Sequence, residues 1–268
     1  MNFSVLMSVY IKTNLKQFEE CLKSINYQTL LPSEIIIIRD GEIDFDLNFI
    51  ISKYKKLNFI ILINEYNLGL PKSLNKGLCY CNNDIVFRMD SDDICNKNRF
   101  ELQYNRMMLN EKLAVLGTNV ELIDEFSNLI SQIKNVPIND LNIRKIIFYK
   151  NPFNHPSVVF RKSIVLSVGG YSDLYLYEDW HLWVKLSKLK SVEFENLSER
   201  LLKYRIRTFD DRSGVKIAKA EYKFYLLLLR NGYVKPYVFI FNILIRFFIR
   251  IMPIKLYKVF KHKFDKSI

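Results

Sequence analysis

This chain lacks the cysteine spacing of a zinc site or a dense disulfide framework. Its 268 residues include four cysteines, Cys21, Cys79, Cys81 and Cys95, with no CxxC pair among them. That spacing suits neither a zinc site nor a dense disulfide framework, and it fits a reduced, cytosolic setting. Glycine is scarce too, and none falls in "SVYIKTNLKQ" (8–17), where a basic, Gly-rich phosphate loop would follow a first strand. No basic segment precedes the apolar start "MNFSVLMSVYIKTN", so no signal peptide is expected. The longest C-terminal apolar stretch, 237–245, falls short of the roughly 20 residues a membrane-spanning helix needs. Internal repeats and low-complexity linkers are absent up to about residue 233.

The composition is otherwise that of a globular chain with a sizeable core, 49% hydrophobic and 25% charged. Lys and Arg number 40 against 28 Asp and Glu, a formal charge of +12. Such a surplus could serve nucleic acid, an anionic membrane or phosphorylated small molecules. Its placement narrows the choice. From Lys235 to the end, eight basic residues meet a single Asp, so more than half of the surplus sits in the last eighth of the chain.

Short apolar runs alternate with helical patterns through the first half. Strands are expected at 3–9, 34–40, 58–64 and 84–90, and helices at 15–28, 45–56 and 71–81, with Pro71 in a first turn. Four consecutive isoleucines in "EIIIIRD" leave that strand no exposed face. Continuous apolar strands alternating with helices imply an α/β, doubly wound, mostly parallel sheet. Ligands bind beyond the carboxyl ends of such strands, and three of those ends are polar. Ser8 and Tyr10 follow strand one, Asp40 and Gly41 strand two, and Asp90 to Asp93 strand four. The second half is less regular. Strands are expected at 114–124 and 128–134, a strand, short helix and glycine turn over 154–171, and a helix with an acidic start over 177–189.

"VFRMDSDDIC" (86–95) packs three carboxylates into four positions. Residues i and i+2 of an extended segment point the same way, so Asp90 and Asp92 together offer hard oxygen ligands to Mg²⁺ or Mn²⁺. A solvated loop with capping aspartates is the alternative; "DSDDICNKNRF" is no EF-hand, lacking its glycine and final Glu. In "YEDWHLW" (177–183), Glu178 and Asp179 open a helix between aromatics. Partial desolvation there would raise a carboxyl pKa toward that of a useful base; an ordinary dipole pair is the other reading. His155 in "FNHPS" reads as structural more readily than catalytic, and Asp40 as either a turn residue or a ligand contact.

Seven segments in order, "SVLMSVY", "CLKSINYQTLLPSEIIIIRDG", "NEYNLGLPKSLNKGL", "FRMDSDD", "NHPSVVFRKS", "GGY" and "EDWHLW", make the chain from Phe3 to Arg207 resemble the family-two glycosyltransferases of the GT-A fold. The resemblance implies a Rossmann-like nucleotide-sugar-binding half over 1–95 and an acceptor-binding half over 96–210. Amphipathic, membrane-associating helices would fill 211–268. It matches Ser8, Tyr10 and Asp40 to nucleotide contacts, Asp40 reading the uracil ring, and puts Asn67 and Asn75 in a segment lining the nucleotide pocket. Asp90, Ser91 and Asp92 match the DxD motif, with Asp92 on the metal and Asp90 on the ribose or the metal. Asp179 matches the general base with Glu178 as its neighbour, and His155 and Trp180 are possible acceptor or phosphate contacts. Arg39 departs from the pattern, standing where many members have an acid.

The family implies a metal-dependent, inverting transfer from a UDP-sugar. Within it, the motifs look most like bacterial O-antigen and capsule enzymes that add galactose or glucose to a sugar on polyprenyl diphosphate. The expected setting is peripheral, on the cytoplasmic face of the inner membrane. A sugar-phosphate nucleotidyltransferase is disfavoured by the glycine-free first loop. Nucleic-acid binding is disfavoured because the basic residues accompany an apolar helix rather than a recognition motif. In that helix Asn242, Arg246 and Arg250 share one face, Pro253 ends it, and Lys255, Lys258, Lys261 and Lys263 follow. That fits a helix in the membrane interface with its basic residues on anionic headgroups; a core helix pair or an oligomer contact would also fit.

Overall fold

The computed structural model describes residues 2–206 and 215–251. They divide into two compact units, one of residues 2–173 with 178–206, the other of 174–177 with 215–251.

In the first unit, strands β1 (Ser4–Val9), β2 (Glu34–Asp40), β3 (Phe59–Asn64) and β4 (Ile85–Arg88) lie parallel in the order β3-β2-β1-β4. All four isoleucines of β2 are fully buried, as their lack of alternation requires. Helix α1 (Leu15–Asn26) starts where Asn14 accepts from the Gln17 amide, and it buries Phe18, Cys21, Leu22 and Ile25. Helix α2 is shorter than its periodicity suggests, Leu47–Ser52, because the chain leaves the helix through turns at Tyr54 and Leu57. Helix α3 (Leu70–Tyr80) carries Pro71 in its first turn. A Cβ on its Gly77 would run into the side chains of Leu6 and Ile38, so glycine lets this helix lie close on the sheet.

The other half of the sheet is mixed, a difference from the mostly parallel expectation. Strand β8 (Val159–Arg161) pairs antiparallel with both β4 and β6 (Leu113–Ile123). The two strands expected at 114–124 and 128–134 form an antiparallel hairpin, β6 with β7 (Leu129–Lys134). Strand β6 also runs parallel to β9 (Glu193–Arg205), which pairs with the short β5 (Ile94–Cys95). Helices α4 (Arg99–Leu109), α5 (Asp140–Ile146), α6 (Lys162–Ser167) and α7 (Glu178–Leu186) complete the unit. Strand β9 carries a central exposed stretch, Ser198–Arg200, and shifts register against β6, so its sequence has no clean period of two.

In the second unit, helices α8 (Val215–Arg230) and α9 (Pro236–Ile251) form a pair. Here the structure corrects the expectation for Arg246. Rather than reaching outward, it pairs with the buried Glu221 and lies over the Tyr225 ring, 5.3 Å from its centre. Asn242 is buried on the same side and accepts from the Tyr225 hydroxyl at 3.4 Å. Tyr237, Ile240, Phe241, Leu244 and Ile245, at helical spacing, are the exposed face. Helix α8 buries Ile217, Phe224, Tyr225 and Leu228 beside Glu221 and exposes Lys219 and Lys223, so only the described part of α9 has its polar residues inside and apolar ones outside. Pro253 and the lysines from Lys255 on lie outside the described residues.

Candidate active site

The site begins where β4 runs out. Its last residue, Arg88, is fixed by its main chain: the amide donates to Val158 O at 2.9 Å and the carbonyl accepts from Arg99 Nη2 at 2.9 Å. The side chain is buried, 3% exposed, and binds Asp90 Oδ1 through Nη2 at 2.5 Å. Nε and Nη1 are buried with no hydrogen-bond partner. Burial alone would lower the Arg88 pKa, but the Asp90 carboxylate outweighs it and the group stays charged.

The acidic loop then folds so that one carboxylate oxygen from each of Asp90, Asp92 and Asp93 lies within 4.8 Å of the others. Such a cluster needs compensation, and a second arginine gives part of it. Arg205, at the end of β9, donates from its amide to Asp93 Oδ1 and from Nε to Asp92 O, both at 2.7 Å, and from Nη2 to Glu20 at 2.9 Å. Asp93 is fully buried, and burial first, then repulsion from Asp90 and Asp92, holds its carboxyl well above the usual range. Asp90 and Asp92 are half-buried, and Ser91 between them is buried. The donor set is all carboxylate and partly open, and Asp93 Oδ2 is buried without a hydrogen-bond partner. A hard divalent cation such as Mn²⁺ or Mg²⁺ fits it.

Ser8 donates to Ile38 O at 3.2 Å, and the Tyr10 amide donates to Thr13 Oγ1 at 2.9 Å. Asp40 is buried and ties the end of β2 to the loop before α3. Its carboxylate accepts from the Leu68 amide at 2.8 Å, the Gly69 amide at 3.0 Å and Asn64 Nδ2 at 2.9 Å. Asn67 Nδ2 reaches Asp40 O at 3.3 Å. Asn75 binds the Tyr171 main chain twice, donating to its carbonyl at 2.7 Å and accepting from its amide at 2.8 Å. Gly170 makes this possible, with φ +62° and a hypothetical Cβ only 2.5 Å from Asn75 Oδ1.

The second pair of acids opens α7. Glu178 and Asp179 are both buried, 8% exposed. Asp179 Oδ2 accepts from Asn151 Nδ2 and Oδ1 from the Trp180 amide, each at 2.7 Å. Trp180 is itself buried, its indole nitrogen donating to Ile147 O at 2.6 Å. His155 is buried beside Tyr171, with Nε2 3.0 Å from the phenol oxygen. Burial first, then the Arg88 charge, holds its pKa well below the usual histidine value, so it stays neutral.

Burial, then repulsion from Asp179, pushes the Glu178 carboxyl up to about 8; Arg88 pulls it down and Asp90 pushes it up. A carboxyl whose pKa rises on folding holds its proton more tightly in the folded state. Its contribution to stability is therefore complete at low pH and is lost as pH climbs from 4.5 toward about 8. Glu178→Gln removes that liability. It should melt at least about 3 °C above the parent at pH 8 and level with it at pH 4.5, which differential scanning fluorimetry would read. A higher melting temperature at both pH values would overturn the assignment.

Motif reading gives no role to Arg88, Arg205, Tyr171 or Asn151, although Arg88 stands in "FRMDSDD" and Tyr171 in "GGY". Arg88 did leave a signal, being a lone charge inside the apolar run "DIVFRMD". Arg205 did not, because it acts through contacts more than 100 residues away in sequence.

Residues 4–168 match the family model described as Glycosyl transferase family 2. Over 258 residues the chain is 40% identical to the UDP-Gal:alpha-D-GlcNAc-diphosphoundecaprenol beta-1,3-galactosyltransferase of Escherichia coli, covering 94% of this chain and 92% of that one. It is 34% identical over 271 residues to the amylovoran biosynthesis glycosyltransferase AmsE of Erwinia amylovora, covering 99% and 100%. Among solved structures, S. aureus TarS 1-349 in complex with UDP-GlcNAc is similar with a TM-score of 0.64 at 22% identity, covering 85% of this chain and 67% of that one. In a longer TarS structure the match covers 40% of the chain. The TarS likeness bears on the fold, while the family model and the curated relatives together show that this chain belongs to glycosyltransferase family 2.

Proposed function

We propose that this enzyme transfers a hexose, galactose or glucose, from a UDP-sugar to a sugar carried on polyprenyl diphosphate. The product would be β-linked, and the reaction a step in bacterial surface polysaccharide synthesis. The observation that carries the reading is that the two acid pairs share one electrostatic environment. Asp90 raises the Glu178 pKa and Arg88, which binds Asp90 at 2.5 Å, lowers it, which supports placing the DxD loop and the start of α7 at one site. The 40% identity to an enzyme named for UDP-Gal and a GlcNAc-diphosphoundecaprenol acceptor supports the choice of substrates.

In this reading Asp92, with Asp90, holds Mn²⁺ or Mg²⁺, which would neutralise charge on the departing diphosphate. Ser8, Tyr10, Asp40, Asn67 and Ser91 surround the nucleotide. Asn75 serves by holding the Gly170–Tyr171 turn against α3. Asp179, oriented by Asn151, takes the proton of the attacking acceptor hydroxyl, and Glu178 beside it tunes its field. Attack opposite the leaving group inverts the anomeric centre. The test is a panel of UDP-sugars against GlcNAc-diphosphate-lipid with Mn²⁺, the product linkage read by NMR. UDP-Gal should be turned over fastest to a β-linked disaccharide; an α-linked product would overturn the inverting assignment.

Peripheral attachment to the cytoplasmic membrane face belongs to the same proposal. Among the described residues no helix is long and apolar enough to cross a membrane. Helix α9 turns Asn242 and Arg246 toward α8 and leaves Tyr237, Phe241 and Leu244 exposed. The sequence that follows is strongly basic. An apolar face flanked by cations suits an anionic lipid surface. Replacing Tyr237, Phe241 and Leu244 with serine should cut cosedimentation with phosphatidylglycerol vesicles at least about tenfold. UDP binding should stay unchanged. Equal cosedimentation of parent and variant would overturn the assignment.

A further inference from the structure

We propose that Arg88 is a positioning residue that keeps the bare metal site weak, so that the divalent cation binds firmly only together with the donor diphosphate. The inference rests on the metal-site reading of Asp90 and Asp92 given above.

Arg88 cannot move away from the site without dismantling the strand that carries it. Its amide and carbonyl are held by Val158 and Arg99, and its guanidinium is 3% exposed. It sits two residues before Asp90 and already occupies Asp90 Oδ1 at 2.5 Å. A divalent cation reaching Asp90 or Asp92 therefore meets a fixed positive charge a few ångströms away. At about 5 Å, even with the full screening of bulk water, that repulsion amounts to about a tenfold change in affinity.

A buried arginine whose Nε and Nη1 lack partners is an expensive way to orient one aspartate. A neutral donor would orient Asp90 without opposing the cation. The arginine charge becomes an advantage once a diphosphate with its negative charges enters, because the same charge then attracts. Arg88 would thus couple cation and donor binding: each is weak alone, and the two are strong together.

Removing the charge separates this role from a structural one. Arg88→Met should bind Mn²⁺ about tenfold more tightly than the parent without nucleotide, followed by the loss of the free-ion electron paramagnetic resonance signal. The gain in Mn²⁺ affinity on adding UDP should shrink by about the same factor, and turnover should fall. Arg88→Lys, which keeps the charge, should leave the nucleotide-free Mn²⁺ affinity within about threefold of the parent. If Arg88→Met fails to fold, Arg88→Gln carries the same expectation, with melting temperature as the check on folding. Unchanged or weaker nucleotide-free Mn²⁺ binding in a folded neutral variant would overturn the proposal, while UDP-dependent Mn²⁺ binding by the parent would leave the metal-site reading intact. Absence of Mn²⁺ binding by the parent, with and without UDP, would overturn both.

Discussion

Asp179→Asn should reduce kcat by about 10³-fold while the UDP-sugar Kd changes less than about threefold, because a positioned general base contributes roughly 10²–10⁴. The structure makes this substitution more informative than a usual isosteric swap. Both oxygens of Asp179 accept hydrogen bonds, from Asn151 Nδ2 and from the Trp180 amide. An asparagine has one acceptor oxygen, so its NH₂ must face one of these two donors. The variant should therefore also lose stability, about 1–3 kcal/mol, seen as a lower urea midpoint. The double variant Asp179→Asn with Asn151→Asp returns an acceptor to the pair and should recover most of that stability. It puts the carboxylate on residue 151, outside α7, so turnover should stay low. Recovery of turnover along with stability would mean that Asp179 acts by holding the helix start and not as the base. The readout is urea denaturation beside single-turnover UDP release.

The carboxylate cluster and the parallel strands beneath it are legible in the sequence, and the reason differs between the two halves of the sheet. The parallel half of the sheet consists of buried strands whose polar ends carry the candidate site residues. There, four consecutive isoleucines in β2 and the run of acids after β4 speak for themselves. The mixed half depends on pairing between distant segments. Strand β9 meets β6 across a shift of register, and its closing Arg205 reaches back to Asp92 and Asp93. No local period announces such a contact. The C-terminal helix misled for a related reason. The spacing of Asn242 and Arg246 rightly puts them on one face, but periodicity does not say which face meets water. Glu221 and Tyr225, on another helix, turn the polar side inward. Asp93 shows the same limit. It looks equivalent to its neighbours in sequence, whereas in the fold it is buried and accepts from the Arg205 amide.

That difference among the three acids gives the second large effect. Asp92→Asn should lower kcat/KM by about 10³-fold and remove the Mn²⁺-dependent part of UDP binding, since a neutral amide is a poor ligand for a hard cation. The fold should barely respond. What Arg205 Nε binds is the Asp92 main-chain carbonyl, which the substitution leaves in place. The melting temperature without metal should thus stay within about 2 °C of the parent, and any rise from removing repulsion should be small at a half-exposed position. Asp93→Asn is the matched control. An asparagine oxygen can still accept from the Arg205 amide, and a carboxyl whose charged form burial disfavours gives way to a neutral group. Its kcat/KM should fall by less than about tenfold. A metal site built on Asp90 and Asp92 requires this inequality between adjacent residues. Equal losses at 92 and 93, or UDP binding that ignores both Mn²⁺ and chelator in the parent, would show that the loop acts through its overall charge and not through a bound cation.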